Sequence, residues 1–230
     1  LAPDLLVTGT DTAVGKTLVA AALVLALRQR GERAIGFKPA ETGLVPGEPA
    51  DSDVLVEASG VDEPLAVPLL RLAEPLAPAL AAERAGEAFD PVVAEARVSA
   101  LRDLGYSLVV EGAGGAAVPL CWDYTILDLA ARTGLHAVVV GRPGVGTLNH
   151  CVLTVEALRA RRVPVLAVVL NGADDPLDLA ELTNPAALAR LLPGLRIVVL
   201  PQLPSEDDGP PWQAAAALLA PLVDRRERED

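Results

Sequence analysis

Residues 4–30 read DLLVTGTDTAVGKTLVAAALVLALRQR, and this stretch decides the fold. The apolar run at 4–8 reads as a strand and 16–30 as a helix, with GTDTAVGKT at 9–17 joining them. A strand delivering such a loop into a helix can point successive N–H groups inward, while the helix aims its positive dipole end at the same place. Gly15 lets the backbone approach a phosphate closely. Lys16 adds a point charge over the β/γ region, and the Thr17 hydroxyl can ligate Mg²⁺. The segment is therefore a phosphate-binding P-loop, and a nucleotide such as ATP with Mg²⁺ is the expected ligand.

Working outward, short apolar runs alternate with helical patterns to the end of the chain, the signature of βαβ units and a mostly parallel sheet. Strands are expected at 4–8, 33–38, 107–111, 137–140, 165–171 and 197–200. Several are nearly continuous Val/Leu runs, as when helices cover both faces of a sheet. Helices are expected at 16–30, 91–104, 125–133, 147–161, 185–192 and 211–223. The Gly- and Pro-rich segment 41–49 reads as a loop, and 65–82, apolar but broken by prolines, takes no assignment. The fold class is α/β, a P-loop NTPase with a doubly wound, mostly parallel sheet. One domain is expected over 1–224, followed by a charged, solvated tail at 225–230.

Composition narrows the partners. With 19 basic and 31 acidic residues the net charge is -12, which repels nucleic acid and anionic lipid, so phosphate must be held locally. Hydrophobic residues make up 51% and aromatics only 3%, so Leu, Val and Ala must build the core. Two cysteines, Cys121 and Cys151, fit a reduced, cytoplasmic setting. Residues 1–7 carry no targeting pattern, and the longest apolar run, 18–27, has about half the length a bilayer requires. No partner membrane is expected.

Several further positions carry chemistry. Lys38 ends an apolar strand before Pro39, which places its amine at the carboxyl edge of the sheet, where such folds bind ligands. Glu111 ends another strand before GAGG and faces the same crevice. Mg²⁺ takes oxygen ligands and keeps several waters, so Thr17, Glu111 and one more carboxylate suffice; Asp53 and Asp51 in the run ADSD both qualify by spacing. Gly112, Gly114 and Gly115 allow close backbone approach. Asn171 follows VLAVVL at a strand end, where its amide can read a base edge or form an Asn-Gly turn. His136 and His150 read as structural.

Four blocks, GTDTAVGKT, FKPAETG at 37–43, VVEGAGG at 109–115 and GTLNH at 146–150, together resemble the dethiobiotin synthetases. The resemblance spans about two thirds of the chain. It implies that 7,8-diaminopelargonate and CO₂ form a carbamate, that the nucleotide γ-phosphoryl activates it as a mixed anhydride, and that the second amine closes a ureido ring. It further implies catalytic roles for Lys16, Lys38, Thr12 and Thr42, with nucleotide contacts from Asp11, Thr12, Ala13, Val14, Gly15, Lys16, Thr17 and Leu18. Asn171, Pro201 and Leu203 would flank the base. Thr12, Lys38, Thr42, Gly112, Ala113, Gly114 and Asn149 would touch the diamine, Asn149 from the second copy of a homodimer. Asp53 is the family-matched metal ligand beside Thr17 and Glu111.

Two departures stand out. Ala13 replaces a glutamate of better-known members, so that carboxylate is missing here. Asp11 stands where the P-loop ATPases that organise chromosomes carry a signature lysine in GKGGxGKT, which argues against that subclass. The rival readings are a related P-loop ligase acting on another carboxylate, and a nucleotide-sensing domain without catalysis.

Overall fold

The computed structural model describes residues 3–203 and 209–224. The first half of the chain runs β1 (Leu5–Gly9), α1 (Lys16–Gln29), β2 (Ala34–Phe37), β3 (Ala40–Thr42), α2 (Asp51–Ser59), β4 (Leu70–Leu72), α3 (Pro78–Ala85), α4 (Pro91–Asp103) and β5 (Ser107–Gly115). It continues with β6 (Pro119–Cys121), β7 (Tyr124–Thr125), α5 (Ile126–Thr133), β8 (His136–Gly141), α6 (Thr147–Ala160), β9 (Val165–Ala173), α7 (Leu179–Leu191), β10 (Arg196–Pro201) and α8 (Pro211–Val223). The six long apolar runs form one sheet in the order β10-β9-β8-β1-β5-β2, every pair parallel.

Period-two alternation sorts each strand between two cores. Leu5 and Val7, Val109, Val138 and Val140 face a layer made by α1, α2 and α8, with Leu23, Leu27, Leu55, Ala216 and Leu219. Leu6, Leu108, Val110, Ala137 and Val139 face the opposite layer, filled by Val98 and Leu101 of α4, Leu127 of α5, Val155 and Leu158 of α6 and Leu188 of α7. Both faces are covered, which is why the strands carry unbroken apolar runs. Among the described residues no helix is long and apolar enough to cross a membrane.

Several boundaries differ from the sequence expectation. The GAGG segment, expected to lie beyond the strand end at 111, continues β5, because Gly115 still pairs with Gly9 after a register shift. Within 41–49, Glu41 and Thr42 belong to β3, which pairs with β4 inside the unassigned 65–82 stretch. That stretch also contains the start of α3. Helix α2 lies where no element was expected; its buried positions Ser52, Leu55 and Ala58 recur every third residue in an element too short to show a pattern. Helix α7 starts six residues before 185, because Asp178 caps the Glu181 amide while Glu181 caps the Asp178 amide. The tail 225–230 lies outside the described residues.

Candidate active site

The carboxyl ends of β1, β5 and β2 adjoin where strand order reverses, since β1 has β8 on one side and β5 on the other. The P-loop leaves β1 at this point. Gly15 has φ +89°, and a Cβ there would lie 2.1 Å from Asn171 Nδ2, so only glycine fits. Asn171, at the end of β9, donates from Nδ2 to the Val14 carbonyl at 3.1 Å and braces the loop. Lys16 Nζ donates to the Asp11 carbonyl at 2.9 Å, and the Asp11 carboxylate accepts from the Thr12 amide at 2.7 Å. Burial lowers the Lys16 pKa; Glu111 opposes this and the neighbouring Lys38 ammonium adds to it.

Strand pleating then sets the catalytic side. Glu111 lies two residues beyond Val109 and so projects into the α1/α2 layer. Lys38 follows Phe37, which points the other way, and lands on the same side. There Lys38 Nζ donates to Glu111 Oε1 at 2.7 Å and to Asp51 Oδ2, and the Thr17 hydroxyl donates to Glu111 Oε1 at 2.9 Å. Burial works against the Lys38 charge, but Glu111 and Asp51 outweigh it and raise its pKa. Asp51 is held low because Lys38 overcomes its own desolvation penalty. Glu111 is fully buried, and that burial pushes its carboxyl up despite Lys38.

These groups line a cavity of about 470 Å³ with Thr12, Ala13, Gly15, Thr42, Ala113 and Gly114. Among the described residues no group of three or more His, Cys, Asp or Glu is placed to hold a metal. Two carboxylates and a hydroxyl nevertheless suit Mg²⁺, which keeps waters and nucleotide oxygens for its remaining positions. Glu111 Oε2 is buried with no hydrogen-bond partner, an acceptor that a hard cation would satisfy.

Asp53, the family-matched carboxylate, does not line this cavity. Asp53 Oδ2 accepts from the Ala50 amide at 2.8 Å, and its Oδ1 lies 3.9 Å from Arg71 Nη2. Its carboxylate caps the first turn of α2, where free N–H groups attract an acceptor. Asp51, two residues earlier on the same turn, is the carboxylate that reaches Lys38 and lines the cavity.

The family model described as an AAA domain matches residues 4–208. ATP-dependent dethiobiotin synthetase BioD of Anaeromyxobacter dehalogenans (strain 2CP-C) is 49% identical over 203 residues, covering 87% of this chain and 90% of that protein. The dethiobiotin synthetase of Haloferax mediterranei is 40% identical, covering 87% of this chain and 84% of the relative. The chain belongs to the dethiobiotin synthetase family. Among solved structures, the septum site-determining protein MinD of Pyrococcus horikoshii, complexed with Mg-ADP, superposes with a TM-score of 0.60 at 16% identity, covering 98% of this chain and 97% of that one. That likeness carries the P-loop NTPase fold alone.

The positions that dethiobiotin synthetase resemblance singled out are not all brought together. Thr12, Lys16, Thr17, Lys38, Thr42, Glu111, Ala113 and Gly114 share the cavity. Gly112 is buried beneath it, where an added Cβ would meet Ile126 Cγ1 at 3.2 Å. Leu18 lines a neighbouring pocket of about 560 Å³ with Trp212, Asp53 and Asp51. Pro201 pairs with Ala173, just past Asn171, and half-buried Leu203 packs on the α1/α8 core. Asn149 is exposed in the first turn of α6, outside the cavity. Two residues escaped the sequence reading. Arg142 Nη2 donates to the Thr12 carbonyl at 3.4 Å, and Glu41 is almost fully buried beside α2. A charged residue inside the FKPAETG block was the available signal for the second.

Proposed function

We propose that this chain is an ATP-dependent ligase of biotin biosynthesis that closes the ureido ring of dethiobiotin from 7,8-diaminopelargonate and CO₂, releasing ADP and phosphate. The observation that carries this reading is the convergence of two buried ammonium groups, Lys16 and Lys38, on one cavity with Glu111, Asp51 and Thr17. A site that only bound phosphate would need the P-loop alone. Lys38 adds a second buried positive charge beside the P-loop, suited to the carbamate and γ-phosphoryl oxygens between which the new bond forms.

In this reading one amine of the diamine adds to CO₂ and loses a proton, giving a carbamate. A carbamate oxygen attacks the γ-phosphorus and ADP leaves. The second amine then attacks the carbamoyl carbon, forming the ring C–N bond and expelling phosphate. Lys16 and the loop amides hold the β- and γ-phosphates, while Lys38 and Thr42 face the reacting carbamate. Ala113 and Gly114, with Gly112 beneath, offer a smooth wall that admits the diamine closely and leaves little room for water. Magnesium, when bound, supplies charge neutralisation across the phosphate oxygens, and Thr17, Glu111 and Asp51 would hold it.

The fuller reading takes residues 1–224 as one functional unit in the cytoplasm, a homodimer in which Asn149 of a second copy completes the diamine site. Asn171, Pro201 and Leu203 flank the base. Phosphate release from ATP, Mg²⁺ and bicarbonate tests the activity: addition of 7,8-diaminopelargonate should raise the rate well above the diamine-free background. An unchanged rate refutes the proposed substrate.

A further inference from the structure

Glu41 is 2% exposed, yet every contact its carboxylate makes is with groups outside the cavity. Oε2 accepts from the Ser52 amide at 3.1 Å, and Oε1 accepts from the Ser52 hydroxyl at 2.8 Å and from Arg71 Nε at 2.7 Å. Glu41 and Arg71 are direct neighbours across the β3–β4 ladder, so the pair forms as the two strands come into register. Arg71 extends its other nitrogen towards Asp53, the residue that caps the same helix turn. One buried carboxylate thus grips the first turn of α2 by both an amide and a side chain, and an arginine ties that grip to the next strand.

The consequence falls on the flanking residues. Asp51 immediately precedes Ser52 and supplies the second carboxylate on Lys38; Thr42 immediately follows Glu41 and lines the cavity. Further along, α2 is held on β2 by the Gly36 amide donating to Ser59 Oγ at 3.0 Å and by Leu55 packed against Gly36, while in its first turn Asp53 bonds to the Ala50 amide and approaches Arg71, and Asp51 reaches the buried Lys38 and Thr17. Helix N-terminal amides also favour a negative charge, so Glu41 is held where the helix dipole stabilises it. We propose that Glu41 is a positioning residue that sets Asp51 against Lys38 and Thr17, and thereby tunes the affinity of the site for the divalent cation bound with the nucleotide. This rests on the reading of Asp51 as the metal-facing carboxylate.

Glu41→Gln keeps the shape but replaces one accepting oxygen with an NH₂ that must face either Ser52 or Arg71, both donors. The probe is Mn²⁺ binding to the ADP-bound protein, followed by electron paramagnetic resonance. The wild-type chain and Asp51→Asn are measured alongside. Glu41→Gln should weaken Mn²⁺ binding about 10-fold, and Ser52→Ala, which removes only the hydroxyl contact, about 3-fold in the same direction. Metal-free ADP affinity should stay within about 2-fold of wild type, which a general loosening of the fold would not leave intact. Amide exchange at Ser52 and Asp53 should quicken in both variants.

If Asp51→Asn binds Mn²⁺ as tightly as wild type, the metal reading itself fails. If Asp51→Asn weakens binding but Ser52→Ala and a folded Glu41→Gln do not, the positioning role is overturned while the metal reading stands. Should Glu41→Gln fail to fold, Ser52→Ala decides the matter by the same criterion. Equal losses of Mn²⁺ and metal-free ADP affinity also overturn the proposal.

Discussion

Lys38→Met isolates the electrostatic centre of the site. The substitution keeps the unbranched stem and removes the only cation that contacts both Glu111 and Asp51 among the described residues. Asp51 has about half its side chain exposed (48%) and can return to water; Glu111 has none (0%) and is left charged in the core. Removing one member of a buried pair costs about 3–5 kcal/mol, which for a chain of this length lowers the unfolding midpoint by roughly 6–20 °C. The pH dependence follows from the direction of the Glu111 shift. Burial holds the folded-state pKa above the ordinary 4.5, and loss of Lys38 raises it further. A carboxyl raised in this way destabilises fully above its folded pKa, and the penalty fades as pH falls towards the unfolded value. Thermal unfolding by circular dichroism should therefore show a deficit at pH 8 that shrinks at pH 5. Adding Glu111→Gln should recover most of the midpoint at pH 8. Turnover should stay down by ~100-fold or more in both variants, the scale of one lost transition-state charge contact. A deficit equal at both pH values, or near-normal turnover in Lys38→Met, would refute the assigned roles.

Two further outcomes follow from the loop and the helix beside it. Gly15→Ala forces a Cβ to within 2.1 Å of Asn171 Nδ2 at φ +89°, so calorimetry should find ADP binding weakened at least ~10-fold, with a stability loss of about 1–2 kcal/mol; ADP affinity within twofold of wild type would show that Asn171 does not brace the loop. Asp51→Asn should raise the Mg²⁺ concentration for half-maximal turnover by ~10-fold, and Asp53→Asn by a smaller factor together with loss of about 1 kcal/mol of cap stability; the reverse order in a Mg²⁺ titration would return Asp53 to the metal.

The layered α/β fold was legible because its signals are local. A strand entering GTDTAVGKT and a helix leaving it need no distant residue to be understood, and the Val/Leu runs of β8 and β9 announce coverage on both faces wherever they lie in the sheet. Pleat parity even places Lys38 and Glu111, since a residue two beyond Val109 or one beyond Phe37 must project to the α1 side. The short elements were illegible for the same reason. Helix α2 and the β3–β4 pair have too few residues to show a period, and they are joined by Glu41, Ser52 and Arg71, which lie 30 residues apart at their widest.

What the sequence determined by itself was therefore the scaffold and the inventory: a phosphate loop, two lysines, and carboxylates at strand ends, because backbone geometry dictates where those side chains emerge. Only the tertiary structure decided which carboxylate of ADSD lines the P-loop cavity beside Lys38. Asp51 and Asp53 are two positions apart on one helical turn, about 200° around its axis; both border the pocket beside Leu18, but only Asp51 also lines the P-loop cavity. Glu41 grips Ser52 on that turn from another strand, a contact that no local pattern encodes.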